Sequence, residues 1–145
     1  MKSSSIRGAT LMWWWLMRHR FSIPGTLPTL NEYVTKERTN RFMAAKAKRE
    51  AQDYIEWAIK ASHVPAFTDH VYIGFVWIRP DARSDKDNVT FAKKFILDAL
   101  QEADVIKRDS WKLCTPYDLG YAVNKRNPRT IVIIADSYEE LMADA

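Results

Sequence analysis

The sequence predicts a single α+β domain. At 145 residues the chain is long enough for one hydrophobic core, since domains usually span about 100 to 200 residues. Hydrophobic residues make up 47% of it and include six Trp, six Tyr and six Phe, unlike the composition of disordered chains. Short β-branched and aromatic runs alternate with segments of helical period. We therefore expect one core built from both strands and helices.

The first half of the chain has two predicted strands on either side of a long predicted helix. Phe21 and Ile23 alternate with polar neighbours before Pro24-Gly25, which predicts a strand that ends in a turn. Residues 26–31 are expected to be a loop, because Pro28 lies inside them. Residues 71–78 are β-branched and aromatic and precede Pro80, which predicts a strand buried on both faces.

The long helix is predicted over residues 38–61 and ends before His63-Val64-Pro65. Its composition is rich in Ala, Lys, Arg and Glu, which favour helices. The residues that recur at helical spacing are Met43, Ala47, Ala51, Tyr54, Ile55 and Ala58.

The second half contains a further predicted helix, residues 87–104, and two strands. At about 100° per residue, one face of that helix is apolar. The apolar face contains Val89, Ala92, Ile96, Ala99, Leu100 and Ala103. On the same geometry Asp87, Lys94 and Asp98 fall within about 40° of one another on the other side. Residues 111–123 form a weaker extended segment, and residues 130–134 are a strong strand.

The two ends of the chain differ from the part between them. Residues 1–17 contain a Trp-rich apolar run that is shorter than the roughly 20 residues needed to cross a bilayer, and Arg18-His19-Arg20 follows where a secretory signal would have a cleavage site. We expect an N-terminal extension, or a true start at Met17, with no membrane association. Residues 18–135 form the domain, and residues 136–145 form an acidic C-terminal tail.

Charge and cysteine content indicate the class of partner and the compartment. The whole chain carries +4 and residues 136–145 carry −4, which leaves +8 on residues 1–135. Such an excess suits a nucleic-acid surface, although basic proteins without that partner are common. Cys114 is the only cysteine, so no intrachain disulfide can form. A reducing, cytoplasmic location is expected.

The most informative motif is Ser84-Asp85-Lys86-Asp87-Asn88. In extended backbone Asp85 and Asp87 would point the same way, about 6.5 to 7 Å apart. Such carboxylates repel each other unless a cation lies between them, and hard cations such as Mg²⁺ take oxygen ligands. The motif therefore predicts a metal site that acts on phosphates. The alternative is an ordinary solvated turn in which Asp87 is the N-cap of the following helix.

Other metal sites are excluded by spacing. An EF-hand loop beginning at Asp85 would need Gly at position 90 and an acidic residue at 96, where the chain has Thr90 and Ile96. The three His residues and Cys114 are scattered without the spacing of zinc ligands. No motif supports a Ser, His or Cys nucleophile.

The remaining charged groups each allow two interpretations. Lys94 and Asp98 could form an exposed ion pair, or Lys94 could neutralise charge on a phosphate beside Asp87. The cations near the start of the long helix form either a solvated face or a surface that holds phosphates. The candidate DNA-binding residues are Arg38, Arg41, Lys46, Lys48, Arg49, Arg79 and Arg83.

Several motifs together resemble the RusA family of Holliday-junction resolvases. Between Arg18 and Ile134 they occur in the same order as in the family. They are residues 21–25 and 31–33, then Asp85-Lys86-Asp87-Asn88, then residues 94–100 beginning at Lys94, then Val105-Ile106 and Asp109. Asn127-Pro128-Arg129 before the last strand resembles the phage and prophage branch.

The resemblance implies a fold, an activity and a set of site residues. The fold would be a small mixed β-sheet packed with two main helices, in a single domain. The activity would be Mg²⁺-dependent endonuclease cleavage of four-way DNA junctions in recombination and repair by a homodimer, with Mn²⁺ as a substitute metal and no small-molecule cofactor. Asp85, Asp87 and Asp109 would be the catalytic metal ligands and Lys94 the supporting lysine, with Asn88 and Asp98 in supporting positions.

The chain differs from the best-known members at two points. Their lysine follows the second Asp by four residues, where this chain has Phe91, and they often have paired Asp where it has Arg108-Asp109. Two alternatives therefore stay open: a junction-binding protein that does not cut, and a nuclease that prefers flaps or forks.

Overall fold

A four-stranded mixed β-sheet forms the centre of the fold. The structure is a computed structural model that describes residues 18–108 and 110–143. Its elements in chain order are β1 (Arg18–Pro24), α1 (Leu30–Thr39), α2 (Arg41–Ala61), β2 (Val71–Arg79), α3 (Lys86–Thr90), α4 (Lys93–Glu102), β3 (Cys114–Val123), β4 (Arg129–Ala135) and α5 (Tyr138–Leu141). The strand order is β1-β4-β2-β3, with β4 antiparallel to both neighbours and β2 parallel to β3.

The larger hydrophobic core lies on the face of the sheet that carries α2 and α4. Alternate residues of the strands, such as Ile23, Phe75 and Val132, are fully buried there. They pack with Ile55 of α2 and Leu100 of α4. The predicted class, a single α+β domain with a mixed sheet, is thus confirmed.

A second, smaller core lies on the opposite face. Ile131 and Ile133 of β4 point to this face and pack with Leu141 of α5. Most residues of β2 are buried, in line with the prediction of burial on both faces. The acidic segment after residue 135 folds back as α5, whose N-cap Ser137 accepts a hydrogen bond from the Glu140 N–H at 3.1 Å.

The predicted helix over residues 38–61 is two helices, so that prediction was wrong in its first turn. Asn40 has extended backbone, with φ of −164° and ψ of 119°. Its N–H donates to the Lys36 carbonyl and closes α1, while its side chain accepts from the Phe42 N–H at 2.8 Å and caps α2. One Asn therefore ends one helix and begins the next.

Residues 30 and 31, expected in a loop, are the first residues of α1. Thr29 is the N-cap, and Glu32 three residues later completes a capping box in which each side chain bonds the other residue's backbone N–H at 3.3 Å. This Thr-x-x-Glu pattern is visible in the sequence as a helix start. Because no residue of α1 is buried, its apolar pattern is too weak to predict a helix.

The predicted helix over residues 87–104 is also interrupted, at Phe91 and Ala92, between α3 and α4. At this interruption the Phe91 ring packs against Tyr33 and Phe95, with ring centroids 5.5 and 5.3 Å away. The predicted apolar face is nevertheless confirmed. Its buried residues are Val89, Ala92, Ile96, Ala99 and Leu100, and the partly buried Ala103 packs against them.

The predicted strands are confirmed, and the predicted N-terminal extension lies outside the described residues. β1, β2 and β4 contain the segments expected to be strands, and the weaker one becomes β3 from Cys114 onward. Within residues 18–108 and 110–143, no helix is long and apolar enough to cross a membrane.

Gly74 is the position on β2 where the second core approaches the backbone most closely. A Cβ built on Gly74 would overlap the Leu119 side chain and come within 3.1 Å of Leu141 Cδ1. We expect Gly74→Ala to lower the free energy of unfolding by about 1 to 3 kcal/mol, because overpacking forces these side chains to move. Urea unfolding measures the effect.

Gly120→Ala on β3 is the matched control. There the nearest atom to an added Cβ is Val76 Cγ1 at 3.8 Å, an ordinary van der Waals contact. Equal losses of stability in the two variants would contradict the proposed overlap at Gly74.

Candidate active site

The carboxylate cluster lies at the end of the sheet where β2 and β3 terminate. Because these strands are parallel and Arg79 pairs with Val123, their carboxyl ends lie side by side. The chain leaves β2 at Pro80 and reaches α3 through residues 80–85. Loops at the carboxyl ends of parallel strands are common ligand sites in α/β sheets. The topology thus brings the cluster to an edge suited to binding.

A cavity of about 620 Å³ opens at this edge. Its lining comes from β2, the loop after it, α3 and the end of β3. The lining residues are Trp77, Arg79, Asp81, Ala82, Ser84, Asp85, Lys86, Asp87, Val89, Tyr121, Ala122 and Val123. Two of the sequence-predicted ligands, Asp85 and Asp87, therefore share one cavity.

Asp85 and Asp87 are held by the start of α3. Asp85 is in the N-cap position with extended backbone, and its side chain makes no capping hydrogen bond. Asp87 is not the N-cap that the alternative prediction made it, since it lies in the first turn, where its Oδ1 accepts from the Asn88 N–H at 3.0 Å. The exposed turn before a helix, which that alternative also described, is present. Neither carboxylate forms an ion pair with another described residue. Two exposed, uncompensated carboxylates are what a cation would stabilise.

Asp81 is a third carboxylate of the cavity that the sequence did not single out. It accepts from the Arg83 N–H at 3.0 Å, and its Oδ2 lies 3.9 Å from Arg83 Nε. Its position directly after Pro80, at the end of a buried strand, is the signal that could have identified it. Arg83, predicted to bind DNA, thus has a carboxylate partner on its own loop.

Asn88 joins the cavity loop to α1. Its Oδ1 accepts a hydrogen bond of 2.8 Å from the backbone N–H of Asn31, in the first turn of α1. The first N–H groups of a helix have no partner within the helix, so this amide satisfies one of them. The supporting residue suggested by sequence therefore positions α3 against α1.

A half-buried network of charged side chains holds one residue of the cavity wall. Lys93 Nζ lies 2.8 Å from Asp118 Oδ2, and Trp77 Nε1 donates to Asp118 Oδ1 at 2.9 Å. The network links α4, β3 and β2. It fixes the Trp77 ring, which lines the cavity while only 2% of that residue is exposed. Lys93 and Asp118 were missed because their pairing depends on the β2–β3 register.

Tyr121 forms the part of the wall contributed by β3. Lys86 Nζ lies 4.8 Å from the centre of its ring, in the range of a cation–π interaction. Burial raises the pKa of the Tyr121 phenol, and the nearby Asp118 carboxylate raises it further. The phenol therefore stays neutral at physiological pH and can donate a hydrogen bond.

The structure does not bring Lys94 and Asp98 into the described lining of the cavity. Lys94 Nζ lies 3.0 Å from Asp98 Oδ1 one turn along α4, which is the ion pair that the sequence offered as the alternative. The lining includes residues of α3 but none of α4.

The predicted DNA-binding cations occupy two regions. Arg79 lines the cavity, and its Nη1 donates to the Leu27 carbonyl at 3.4 Å. The others, apart from Arg83, are exposed on α1 and α2: Arg38, Arg41, Lys46, Lys48 and Arg49. Lys46 is also 3.9 Å from Glu50. The protein therefore has a basic helical surface in addition to the cavity.

The oxygen donors in the cavity match a hard cation in type. Mg²⁺ is commonly bound by one or two carboxylates and completes its shell with waters and phosphate oxygens, which Asp85 and Asp87 would allow. Within residues 18–108 and 110–143, no three His, Cys, Asp or Glu side chains are grouped to hold a metal ion. Asp109, the predicted third ligand, lies outside the described residues.

Comparison with known proteins assigns no family to the chain. A scan against protein-family models finds no match, and neither does a search of curated proteins.

The Asn88 hydrogen bond can be tested by two substitutions. Asn88→Ala leaves the Asn31 N–H without its partner and should lower the free energy of unfolding by about 0.5 to 1.5 kcal/mol. Asn88→Asp keeps an acceptor oxygen and places negative charge near a helix N-terminus, so it should be close to wild type. Urea unfolding of both variants measures this. An Asp variant as unstable as the Ala variant would argue against the helix-positioning role.

Proposed function

We propose that this protein is a Mg²⁺-dependent, structure-selective DNA endonuclease of the RusA type, which resolves four-way junctions by hydrolysing phosphodiester bonds. The observation that carries the proposal is the position of Asp85 and Asp87. Both line one open cavity, and neither carboxylate is neutralised by a described cation. Recombination and repair of branched DNA would be the cellular role.

The acidic and basic side chains of the protein would have different roles in cleavage. Asp85 and Asp87 hold the metal, and Asp109 is proposed as a third ligand. Bound Mg²⁺ would supply a water of lowered pKa and stabilise negative charge on the reacting phosphate. Lys86 and Arg79, at the same cavity, can contact the phosphate oxygens. The resemblance also gives Lys94 this task, for which it would have to exchange Asp98 for the phosphate.

The basic surface of α1 and α2 would hold the DNA arms. Its five exposed Lys and Arg residues suit contacts to phosphates, which add affinity without reading sequence. Each neutralised phosphate releases counterions, so affinity should fall steeply as salt is added. The same surface supports a second candidate function, junction binding without turnover. That candidate is favoured by Arg108-Asp109, which stands where the best-known RusA members often have paired Asp.

Asp87→Asn tests the metal site while preserving the shape of the side chain. Removing a direct ligand should slow Mg²⁺-dependent cleavage of a synthetic four-way junction at least about a hundredfold, since even outer-shell partners of metal ligands contribute about 10- to 100-fold. Junction binding should persist. Gel assays of cleavage and fluorescence polarisation of binding measure the two effects.

Asp81→Asn is the matched control, because Asp81 lines the same cavity but bonds to Arg83. It should change cleavage less than tenfold. Wild-type cleavage by Asp87→Asn would refute the metal site. Binding without cleavage by the unmodified protein would favour the second candidate, and faster cutting of flaps or forks would change the preferred substrate.

We further propose that the protein acts as a homodimer through α2. Met43, Tyr54 and Trp57 of this helix are 49%, 40% and 55% exposed and lie on one side, an apolar stripe that Glu50 interrupts between Met43 and Tyr54. The helix is basic before residue 50 and acidic over Glu50, Asp53 and Glu56. In an antiparallel pair, each basic end would face the partner's acidic end. Such a two-fold interface would present two equivalent active sites to a symmetric junction.

The dimer proposal is compatible with DNA binding by the same helix. At about 100° per residue, Lys46 and Asp53 flank the apolar stripe, whereas Arg41 and Lys48 lie on the other side of the helix. Arg41 and Lys48 would therefore remain available to phosphates in the dimer.

Trp57→Lys should weaken this dimer at least about tenfold, because a central Trp commonly contributes about 2 kcal/mol or more to an interface. Sedimentation equilibrium measures the dissociation constant. Trp111→Lys is the control, since Trp111 is 98% exposed in the segment before β3. Equal effects of the two substitutions, or an unmodified protein that is monomeric, would contradict the proposed interface.

A further inference from the structure

The cavity has an apolar half that a metal and a phosphate would not use. Its carboxylates and cations come from the end of β2, the loop after it and the start of α3, whereas Trp77, Val89, Tyr121 and Val123 form an apolar wall. A Mg²⁺ ion needs only oxygen ligands. At about 620 Å³ the cavity also falls within the range of about 300 to 1,000 Å³ seen for sites that hold organic ligands.

The apolar wall presents an accessible aromatic ring on a fixed support. Tyr121 is 40% exposed and Val123 is 58% exposed, although both belong to a strand paired along its length with β2. Tyr121 is the register partner of Trp77, which Asp118 and Lys93 hold in place. The ring therefore stands in the cavity without needing a rearrangement of the backbone.

We propose that this wall is a nucleobase subsite, in which the base of a nucleotide at the branch, next to the cleaved phosphate, is turned out of its pair and packs against Tyr121. The inference rests on the proposed nuclease function and names the feature of DNA that the site selects. Aromatic side chains bind bases of any sequence by stacking, because every base has a π-face. The subsite would therefore recognise an unstacked nucleotide rather than a particular base.

The position of the subsite links it to structure selectivity. A base within a duplex must be unstacked and unpaired before it can enter such a cavity, and this costs least where the base is already unpaired. The bases of a four-way junction are paired, but their stacking is interrupted where the arms meet, so a base there is turned out at lower cost than a base inside a duplex. Binding the base against Tyr121 would then place the adjoining phosphate near Asp85 and Asp87, which line the same cavity.

Lys86 can couple the base to the phosphate. Its ammonium lies over the Tyr121 ring, and the residue is exposed at the start of α3. A base that takes this place on the ring releases the ammonium. The freed cation is then at the cavity rim, where it can contact the phosphate of the bound nucleotide.

A double-mutant cycle, in which the Tyr121 ring and one DNA base are removed separately and together, tests the proposal. Junctions that lack one base, at each nucleotide beside the branch in turn, are compared with the intact junction by fluorescence polarisation without added metal. Tyr121→Ala should weaken binding of the intact junction about 5- to 150-fold, the range expected for loss of one stacked base. Removing the correct base should weaken wild-type binding to a similar degree.

The two losses should not add, because the ring and the base make the same contact. At one abasic position Tyr121→Ala should therefore cost little further affinity. Tyr121→Phe, which keeps the ring, should bind as wild type does. Tyr138→Ala, which removes a 45% exposed Tyr of α5 outside the lining of the cavity, should leave the cycle unchanged.

Losses that add at every position would overturn the subsite, as would unchanged binding by a folded Tyr121→Ala protein. Circular dichroism melting of each variant establishes folding. The cycle measures binding without cleavage. An absence of Mg²⁺-dependent cutting would therefore refute the nuclease function, while the binding measurements would still test the subsite. Normal cutting with no coupling would refute the subsite alone.

Discussion

The parallel pairing of β2 with β3 is the constraint on which the rest of the structure depends. Two parallel neighbours cannot be joined by a tight turn, so the chain must cross over the sheet between them. Residues 80–113 make that crossing and carry the carboxylate loop, α3 and α4. The same pairing aligns the ends of both strands at Arg79 and Val123. The cavity lies where the crossover begins and the second strand ends.

The crossover is anchored because its helices bury one face in the main core. Ile96 and Leu100 of α4 are fully buried against α2 and the sheet. Phe91 and Phe95 form an aromatic cluster with Tyr33 of α1. This cluster packs the break between α3 and α4, and the start of α3 places Asp85 and Asp87 in the lining of the cavity. Packing of apolar side chains thus sets the position of exposed charged ones.

The charges around the cavity divide into paired and unpaired groups. Lys93 with Asp118, Lys94 with Asp98 and Arg83 with Asp81 are within ion-pair distance of one another. Asp85 and Asp87 have no such partner among the described residues. Leaving two neighbouring carboxylates uncompensated costs free energy, and a bound cation removes that cost. This contrast is the electrostatic support for a metal at Asp85 and Asp87.

The sequence by itself determined the elements whose signal is local. Hydrophobic period identified the four strands and the buried face of residues 89–103, and the spacing of Asp85 and Asp87 identified two of the three carboxylates that line the cavity. The sequence did not predict the helix boundaries at Asn40 and Phe91. The cap at Asn40 and the packing of the Phe91 ring against Tyr33 interrupt a helical pattern that is otherwise continuous.

Only the tertiary structure decided what surrounds those carboxylates. Tyr121 and Asp118 lie on a strand with weak apolar alternation, and their approach to Trp77 depends on the parallel register with β2. Trp77 and Asp118 are 41 positions apart in the chain. Hydrophobic periodicity in the sequence does not reveal a hydrogen bond between residues so far apart. Lys94 lies within ion-pair distance of Asp98 and outside the lining of the cavity, which the helical phase of the sequence did not predict. Local periodicity specifies the elements, whereas strand register and packing decide which side chains meet.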